Sequence, residues 1–339
     1  MFFIFERKSV EKKDLVNISQ TMVIRAQDDN QTEHDTIKKP RHEIRVGIFV
    51  TSLHDLDFKK RKYSMTAWVW GTYNPKDLPD DYSFSNHIEI VNAREWNLSS
   101  IEHFIINNPD GSQRSMAKFR ATFNQNWDIR YFPFDKQTLK VVIESVELDS
   151  SRVKFVPDFK NSLISDDFDL SGWRISPIQL AEQDYEYPTT FGDPRGVKGV
   201  YPRVILDIPI KREGWRILFT SFLGFFASYI IVSMLIAFDD KLFSNRIGLI
   251  MSALFATVGN KYTVDSIFPP QANFTFSDLI QVATFTIIAI GLLNIIAIIK
   301  LIKLGKDKLA HKLDYSVSMV IIPTYPIIIL MGLYFALVA

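Results

Sequence analysis

The sequence contains no cysteine and no surplus of charge of either sign. Without cysteine it can form no disulfide, use no thiolate nucleophile and bind no metal through sulfur. Lys and Arg number 39 against 38 Asp and Glu, so the chain lacks the basic excess with which nucleic-acid-binding proteins neutralise phosphates. We therefore expect no nucleic-acid partner.

Catalytic motifs are also missing. The six histidines include no i, i+4 pair of the kind that binds zinc on a helix. The sequence has no phosphate-binding glycine loop, no G-x-S-x-G elbow and no Rossmann fingerprint. The sequence therefore predicts that the protein is not an enzyme and needs no obligate cofactor.

Charge is distributed unevenly along the chain. Residues 217–339 carry only 14 of the 77 charged side chains. This part has three uncharged runs, 217–238, 279–299 and 315–339, and each exceeds the ~18–20 residues that span a bilayer as a helix. They predict membrane-spanning helices at about 217–238, 279–302 and 315–339, because core helices of soluble proteins rarely stay apolar over such lengths.

A further uncharged run, 247–260, is too short and too polar to face lipid, so we expect a fourth span at about 244–266 that the others shield. Small or polar residues and two aromatics recur on one of its faces at helical spacing. That face consists of Gly248, Ser252, Phe255, Gly259, Tyr262 and Ser266. It fits either the lining of an aqueous pore or a close-packing stripe, and the two bulky aromatics favour the pore.

The loops predict the orientation of the spans. Five lysines between the third and fourth spans, from Lys300 to Lys312, place that connection in the cytoplasm by the positive-inside rule. The amino-terminal part then lies outside the cell. Its first five residues are apolar, but Glu6, Arg7 and Lys8 follow at once, so no secretory signal is visible. We interpret 1–40 as a linker or the remnant of an upstream segment.

Residues 41–214 have the texture of a β-protein. Ile44, Val46, Ile48 and Val50 alternate with Arg45, Gly47 and Phe49, and a similar alternation runs from Val204 to Ile210. Turn clusters containing Gly, Pro, Asn and Asp separate many short runs of this kind. The pattern predicts an all-β, antiparallel, Ig-like sandwich.

The segment 128–137, D-I-R-Y-F-P-F-D-K-Q, resembles the signature loop of the pentameric ligand-gated ion channels, the Cys-loop receptor superfamily. The two bracketing cysteines of the animal receptors correspond here to Gln125 and Leu139, which resembles the cysteine-free bacterial branch. The likeness extends from about residue 41 to the end of the chain. It includes Arg212 before the first span and Arg246 at the foot of the second.

The resemblance implies a homopentamer in a cell membrane, with a β-sandwich outside the cell (periplasmic in a Gram-negative bacterium). It also implies four helices per subunit, of which the second lines a central pore. Its partners would be its own copies, membrane lipid, permeant ions and an unidentified small-molecule or ionic agonist. A ring of five Phe255 side chains would form an apolar gate, since narrow apolar constrictions can close a pore by dewetting.

The resemblance also implies residues that couple the two domains. Asp55, Asp57 and Asp135 would meet Arg212 at the membrane surface, and Pro269 and Pro270 would begin the connection from the second span to the third. An arginine–carboxylate cluster could transmit a movement of the sandwich to the pore. It could equally be an ion-pair network that only joins the domains.

The agonist site implied by the family would lie under the hairpin 184–198, with Tyr185, Tyr187 and Phe191, and would include Trp70 from a facing strand. Such aromatics can surround an amine, or they can be ordinary surface packing. Val146, where many amine receptors have tryptophan, argues against an amine.

A calcium modulator is a further possibility. Acidic loop residues could bind it, although solvated loop acids are the more common explanation. These residues are Asp149, Asp166, Asp167 and Asp169, with Asp158 beside them.

Ion selectivity has signals in both directions. Asp239, Asp240 and Asp265 weakly favour cations, whereas Arg246 on the lining face would favour anions.

Two other interpretations compete with the channel. One is a membrane-anchored β-sandwich binding protein without conductance, and the other is a transporter, although the chain shows neither the internal repeats nor the larger number of spans typical of transporters.

Overall fold

The computed structural model describes residues 41–194, 196–237, 243–268 and 273–338. The side chains of residues 100, 101, 236 and 237 are not part of this description. The segment 1–40, interpreted above as a linker, lies outside the described residues, and so do Asp239 and Asp240.

Eleven strands occupy most of the first half of the described chain. They are β1 His42–Asp57, β2 Lys62–Tyr73, β3 Ile88–Ile90, β4 Ala93–Asn107, β5 Gln113–Asn124, β6 Lys136–Ser145, β7 Val153–Pro157, β8 Leu163–Ile164, β9 Trp173–Ile175, β10 Gln179–Glu186 and β11 Val200–Arg212. One sheet has the order β4-β5-β2-β1-β7, with β8 also on β1, and the other has the order β10-β11-β6-β3, with β9 also on β11.

The core lies between these two sheets, as the alternating sequence predicts. The side chains of Ile44, Val46 and Ile48 in β1 are almost wholly buried, and so are those of Leu206 and Ile208 in β11. One polar link crosses the core, where the Tyr63 hydroxyl of β2 donates to the carbonyl of Lys140 in β6 at 2.7 Å. Burial raises the pKa of Tyr63 well above its ordinary value, so the phenol stays protonated and keeps donating.

The two-sheet prediction is confirmed, but the expectation of a purely antiparallel sandwich is wrong. Strand β1 pairs with β7 and with β8 in parallel. Strand β7 follows β6 of the other sheet, so the chain crosses over before it reaches β1, and β8 follows β7 within the same sheet. Periodicity reports which face of a strand is buried and carries no information about the direction of its neighbour.

The second half of the chain is helical. The helices are α1 Trp215–Ser221, α2 Leu223–Ser233, α3 Phe243–Asp265, α4 Phe276–Lys303 and α5 Asp307–Val338. Three of them, α3, α4 and α5, are long and apolar enough to cross a membrane. Helices α1 and α2 together form a fourth candidate span, bent by 57° at Phe222 and continued by a 3-10 turn over Met234–Ala237.

The lysine-rich connection differs most from its prediction. We expected the third span to end at about residue 302 and the fourth to begin at about 315; α4 ends close to that point, at Lys303, but α5 already begins at Asp307. Lysine is a good helix former, and basic side chains near a helix C-terminus interact favourably with the helix dipole. Charge therefore marked the end of the apolar run and not the end of the helix.

The helix bundle also provides a hydrogen-bond donor for a backbone carbonyl that a proline leaves unpaired. Pro326 has no N–H to donate, so the carbonyl of Ile322 four residues earlier loses its usual partner. The Tyr229 hydroxyl of α2 donates to that carbonyl at 2.8 Å. Tyr229 also stacks on Tyr325, whose hydroxyl meets Thr284 of α4 at 3.0 Å. Three helices are therefore joined at one level.

Candidate functional site: the exposed face of α3 and its contacts with the sandwich

One face of α3 has little contact with the rest of its own chain. All six residues predicted for the lining, namely Gly248, Ser252, Phe255, Gly259, Tyr262 and Ser266, are exposed on this face. Phe255 is 69% exposed and Tyr262 73% exposed. A Cβ added to either Gly248 or Gly259 would meet nothing within 4 Å. The face is continuous along the helix and is available to water or to another chain.

The structure places Arg246 away from this face, so the expectation of an arginine on the lining is wrong. Its side chain is 1% exposed, and its Nη2 donates to the Asp314 carboxylate of α5 at 2.8 Å. Asn294 of α4 donates to the same carboxylate oxygen at 2.7 Å. Burying a charge requires a partner of opposite sign. Asp314 is 68 residues away from Arg246 in sequence, so no local pattern indicates the pair.

The opposite face of α3 is bonded to the bend of the first span. The Asn260 side chain accepts from the N–H of Gly224 at 2.9 Å and donates to the carbonyl of Ser221 at 2.8 Å. These are backbone groups that the break at Phe222 leaves without a helical partner. Near the end of α3, Lys261 pairs with Asp265 at 2.5 Å. Asp265 therefore lies at this end of the helix with its charge already paired.

Two of the predicted coupling residues meet directly. Arg212 donates through Nε to Asp135 at 2.7 Å and through Nη2 at 3.3 Å, and Asp135 is 1% exposed. Gln137 donates to the same carboxylate at 2.8 Å. The guanidinium also lies over the rings of Trp173, at 4.1 Å, and Phe58, at 4.6 Å. The pair is therefore largely desolvated, with rings packed against the guanidinium and a second donor on the carboxylate.

The remaining predicted coupling residues do not join this pair. Asp55 is exposed and faces His54 at 3.9 Å, and it adopts a left-handed backbone with φ 55°. Asp57 accepts from the N–H of Lys60 at 2.7 Å in the turn after β1. The expectation that Asp55 and Asp57 join a carboxylate cluster around Arg212 is therefore wrong. Pro269 and Pro270 lie outside the described residues.

Aromatic side chains make the contact that the charges were expected to make. Phe132 of the signature loop packs against Phe268, just after α3, with ring centroids 4.4 Å apart. Phe132 also contacts Phe222 at the bend of the first span, and Phe58 contacts Phe268, at 6.2 and 6.0 Å. Nothing in the spacing of these residues predicts the cluster, because they come from four separate segments.

The chain passes from the sandwich to the first span at Gly214. A Cβ at this position would lie 2.0 Å from the carbonyl oxygen of Pro133 in the signature loop. Only glycine fits such a close approach of two backbones. The next residue of this loop, Phe134, packs edge-on against Trp215, with ring centroids 5.0 Å apart. The loop and the start of α1 are therefore in direct contact.

The aromatics of the hairpin between β10 and β11 surround a cation that belongs to the chain itself. The guanidinium of Arg203 lies 3.5 Å from the centroid of the Tyr185 ring and forms an ion pair with Glu144. Tyr187 donates to Glu144 at 2.7 Å and accepts from Arg203 at 3.0 Å. Burial, together with the bond to Glu144, raises the pKa of Tyr187. Phe191 is exposed and packs edge-on against Tyr187.

Trp70, the fourth predicted ligand residue, lies in a cavity of about 640 Å³ on the other sheet. Its indole N–H donates to Asp158 at 3.3 Å. The cavity is also lined by Arg45, Thr72 and Arg114. The sequence did not indicate these three residues, because they become neighbours only when β1, β2 and β5 pair.

The acidic residues proposed for calcium are not gathered into one site. Asp149 accepts from the N–H and hydroxyl of Ser151, and Asp167 accepts from the Ser165 hydroxyl at 3.2 Å. Across the ranges that the structure describes, no group of three or more His, Asp or Glu side chains could hold a metal ion. Asp166 and Asp169 are exposed. Calcium modulation stays a prediction from composition.

Comparison with known proteins gives two relatives. A protein named proton-gated ion channel, from Gloeobacter violaceus, is 23% identical over 149 residues. A neuronal acetylcholine receptor subunit, non-alpha-2, from Carassius auratus is 25% identical over 152 residues. The chain is related to the pentameric ligand-gated ion channels. No family model matches it.

The likeness to this channel superfamily is partial in length. Each match covers 39% of the chain, and 40% and 32% of the two relatives. The chain thus spans less than half the length of the curated relatives it matches. Both relatives are named as a channel or a receptor, which agrees with the ion-channel, receptor and transmembrane terms that the signature loop and the apolar helices indicate.

Proposed function

We propose that the chain is one subunit of a homopentameric ligand-gated ion channel in which five copies of α3 surround an aqueous pore. The exposed face of α3 carries this proposal, because a face with Gly248, Ser252 and Gly259 is a poor match for lipid. Symmetric copies around an axis would bring the five faces together on water. The lysines from Lys300 to Lys312 support a cytoplasmic side for that connection, which places the sandwich outside the cell, on the periplasmic side in a Gram-negative cell.

The gate in this proposal is a ring of Phe255 side chains. Phe255 projects from the middle of α3 and makes little contact with its own subunit, so five copies are available to close an apolar constriction. Tyr262, two helical turns toward the sandwich, forms a second, wider ring. Ser252 and Gly248 lie below the gate as hydrated walls.

We propose that the channel passes cations. The main argument for anions was a basic ring at the foot of the pore, and the burial of Arg246 against Asp314 removes it. The Lys261–Asp265 pair near the other end of α3 adds no net charge there. Reversal potentials measured with unequal KCl on the two sides of a bilayer test this, and a reversal toward the chloride potential refutes it.

Coupling runs through Arg212, Asp135 and the aromatic cluster around Phe132. Reversing a closed-to-open ratio of 99:1 takes about 5.5 kcal/mol, or roughly 1.1 kcal/mol per subunit in a pentamer. A charge-assisted hydrogen bond of about 1.5–3 kcal/mol is enough for that task. The Arg212–Asp135 pair has two such bonds in each subunit.

The gate is tested by Phe255→Ala in purified protein reconstituted into bilayers. Removing the ring widens and hydrates the constriction, so we expect a higher open probability without agonist. Phe335→Ala is the matched control, because Phe335 of α5 is also exposed, at 58%, but lies on another helix. Unchanged spontaneous opening in Phe255→Ala removes this residue from the gate.

The pore face itself is tested by thiol accessibility, which the cysteine-free sequence makes clean. We expect Ser252→Cys to react with a charged, membrane-impermeant thiol reagent and to change the current. Leu330→Cys, on the exposed side of α5, is expected to stay unreactive. Equal reactivity of the two, or no conductance under any condition, would support a membrane-anchored binding protein instead.

A further inference from the structure

The cavity beside Trp70 lies on the solvent-facing side of the six-stranded sheet. Its volume of about 640 Å³ falls within the ~300–1,000 Å³ of small-molecule sites. Its walls come from β1, β2 and β5 and from the turn after β7. The core-facing neighbours in β1, Ile44 and Val46, are buried, so the cavity floor is held by the packed interior of the sandwich.

Two arginines flank one position on this floor. Arg45 of β1 and Arg114 of β5 are both register partners of Thr72 in β2. Directly opposed residues project from the same face of a sheet, so the two side chains stand on either side of Thr72. Two strand spacings of ~4.8 Å separate their backbones, which lets both guanidiniums reach one small molecule above Thr72.

Neither of these guanidiniums has a carboxylate partner within the described part of the chain. The Nε of Arg114 is buried and finds no acceptor among those residues. Three other arginines, Arg203, Arg212 and Arg246, are each paired with a carboxylate. Two adjacent unpaired guanidiniums repel each other, and a carboxylate bound between them would relieve that repulsion through forked hydrogen bonds.

Two acidic side chains of the cavity, unlike the arginines, already have hydrogen-bond partners within the described ranges. Asp158 is 8% exposed and accepts hydrogen bonds from the Trp70 indole and the Asn161 amide. Asp110 accepts from the N–H and hydroxyl of Ser112, and these bonds lower its pKa. Glu43 is exposed at the rim. Local donors therefore already bind the buried Asp158 and the exposed Asp110, whereas neither arginine forms an ion pair among the described residues.

Trp70 gives the floor its apolar part. Its ring lies over Gly47, where an added Cβ would be only 2.2 Å from the indole. The ring is thus fixed between the glycine and Asp158, with the arginines one step further along the strands. An aromatic or aliphatic body can rest on this ring while its acidic end reaches the guanidiniums.

We propose that this cavity binds small carboxylates, with Arg45 and Arg114 clamping the acid group and Trp70 supporting the rest of the molecule. This agrees with Val146, which argued against an amine ligand in the sequence analysis. The binding claim depends on the sandwich alone. The further step, that occupancy changes the open probability, rests on the proposed channel function.

The test is calorimetric titration of the full chain in detergent with a matched pair of probes, benzoate and benzylamine, and with succinate as a second carboxylate. We expect saturable binding of benzoate or succinate and none of benzylamine. Arg114→Gln and Arg45→Gln should each weaken carboxylate binding at least about tenfold, since each removes a charge-assisted contact. Arg120→Gln is the control, because Arg120 is an exposed arginine of the same strand outside the cavity.

Other outcomes overturn the proposal. They are benzylamine binding that survives both arginine substitutions, carboxylate binding that neither substitution weakens, and absence of binding by both carboxylates. Arg114→Lys keeps the charge without the fork, so an intermediate affinity in this variant supports a forked contact even if Arg114→Gln folds poorly. Bilayer currents separate the two claims, because benzoate can bind to a protein that conducts nothing and a conducting protein can fail to bind it.

Discussion

The Arg212–Asp135 pair offers the sharpest test of how the sandwich is joined to the membrane helices. We consider Asp135→Asn, which keeps the shape of the side chain but removes its charge. The carboxylate is 1% exposed and takes two hydrogen bonds from Arg212 and one from Gln137. Removing one member of a buried ion pair costs about 3–5 kcal/mol, because the other charge stays buried without a counter-charge.

Arg212→Gln should cost at least as much. It leaves Asp135 as the uncompensated charge and also removes the guanidinium from the rings of Trp173 and Phe58. Each cation–π contact adds roughly 0.5–2 kcal/mol. The double variant should lose clearly less stability than the two single variants lose together, because it leaves no unpaired charge buried.

The assay is thermal unfolding in detergent, followed by tryptophan fluorescence at one protein concentration. At ~2 °C per kcal/mol, Asp135→Asn should lower Tm by about 6–10 °C. The control is Glu213→Gln, which breaks the exposed Arg174–Glu213 pair at 3.1 Å and should cost less than about 1 kcal/mol. Two results would refute the reasoning. One is a double variant whose loss of stability equals the sum of the two single losses, and the other is an Asp135→Asn loss no larger than that of Glu213→Gln.

Three further predictions concern other parts of the chain. Asp314→Ala should remove the buried carboxylate to which Arg246 donates and reduce the folded protein recovered by size-exclusion chromatography, whereas Lys312→Ala, an exposed neighbour, should not. Asn260→Ala should speed hydrogen exchange at the amide of Gly224, and unchanged exchange would show that the Asn260 bond does not hold the bend. Glu89 has a pKa raised above its usual 4.5 by burial and by Glu144 across the strand pair, so its contribution to stability is present below about that value and is lost as pH rises through the raised pKa. Glu89→Gln should therefore raise Tm at pH 8 relative to wild type and make little difference at pH 4.

The sequence predicted those features that depend on hydrophobicity and on the spacing of apolar residues within one segment. Alternation in β1 and β11 marked the core, because each strand has one face turned toward the other sheet and buries every second side chain there. The length of uncharged runs marked α4 and α5, and the spacing of Gly248, Ser252 and Phe255 marked the exposed face of α3. These are local properties of one segment.

Features that join distant segments could not be read in this way. The Arg246–Asp314 pair and the contact of Phe132 with Phe268 each connect segments more than 60 residues apart. The arginines around Thr72 become neighbours only through strand register. The family resemblance did supply Asp135 and Arg212, but it gave too large a cluster by adding Asp55 and Asp57.

The close approach at Gly214 has a mechanical consequence. Because the Pro133 carbonyl leaves no room for even a methyl group there, no compliant spacer separates the signature loop from the first membrane helix. A displacement of this loop by a fraction of an ångström must be taken up at once, by tilting α1 or by opening the backbone contact. Lengthening the junction by one or two glycines would insert slack, so that a movement of the sandwich would be absorbed before it reached the bilayer.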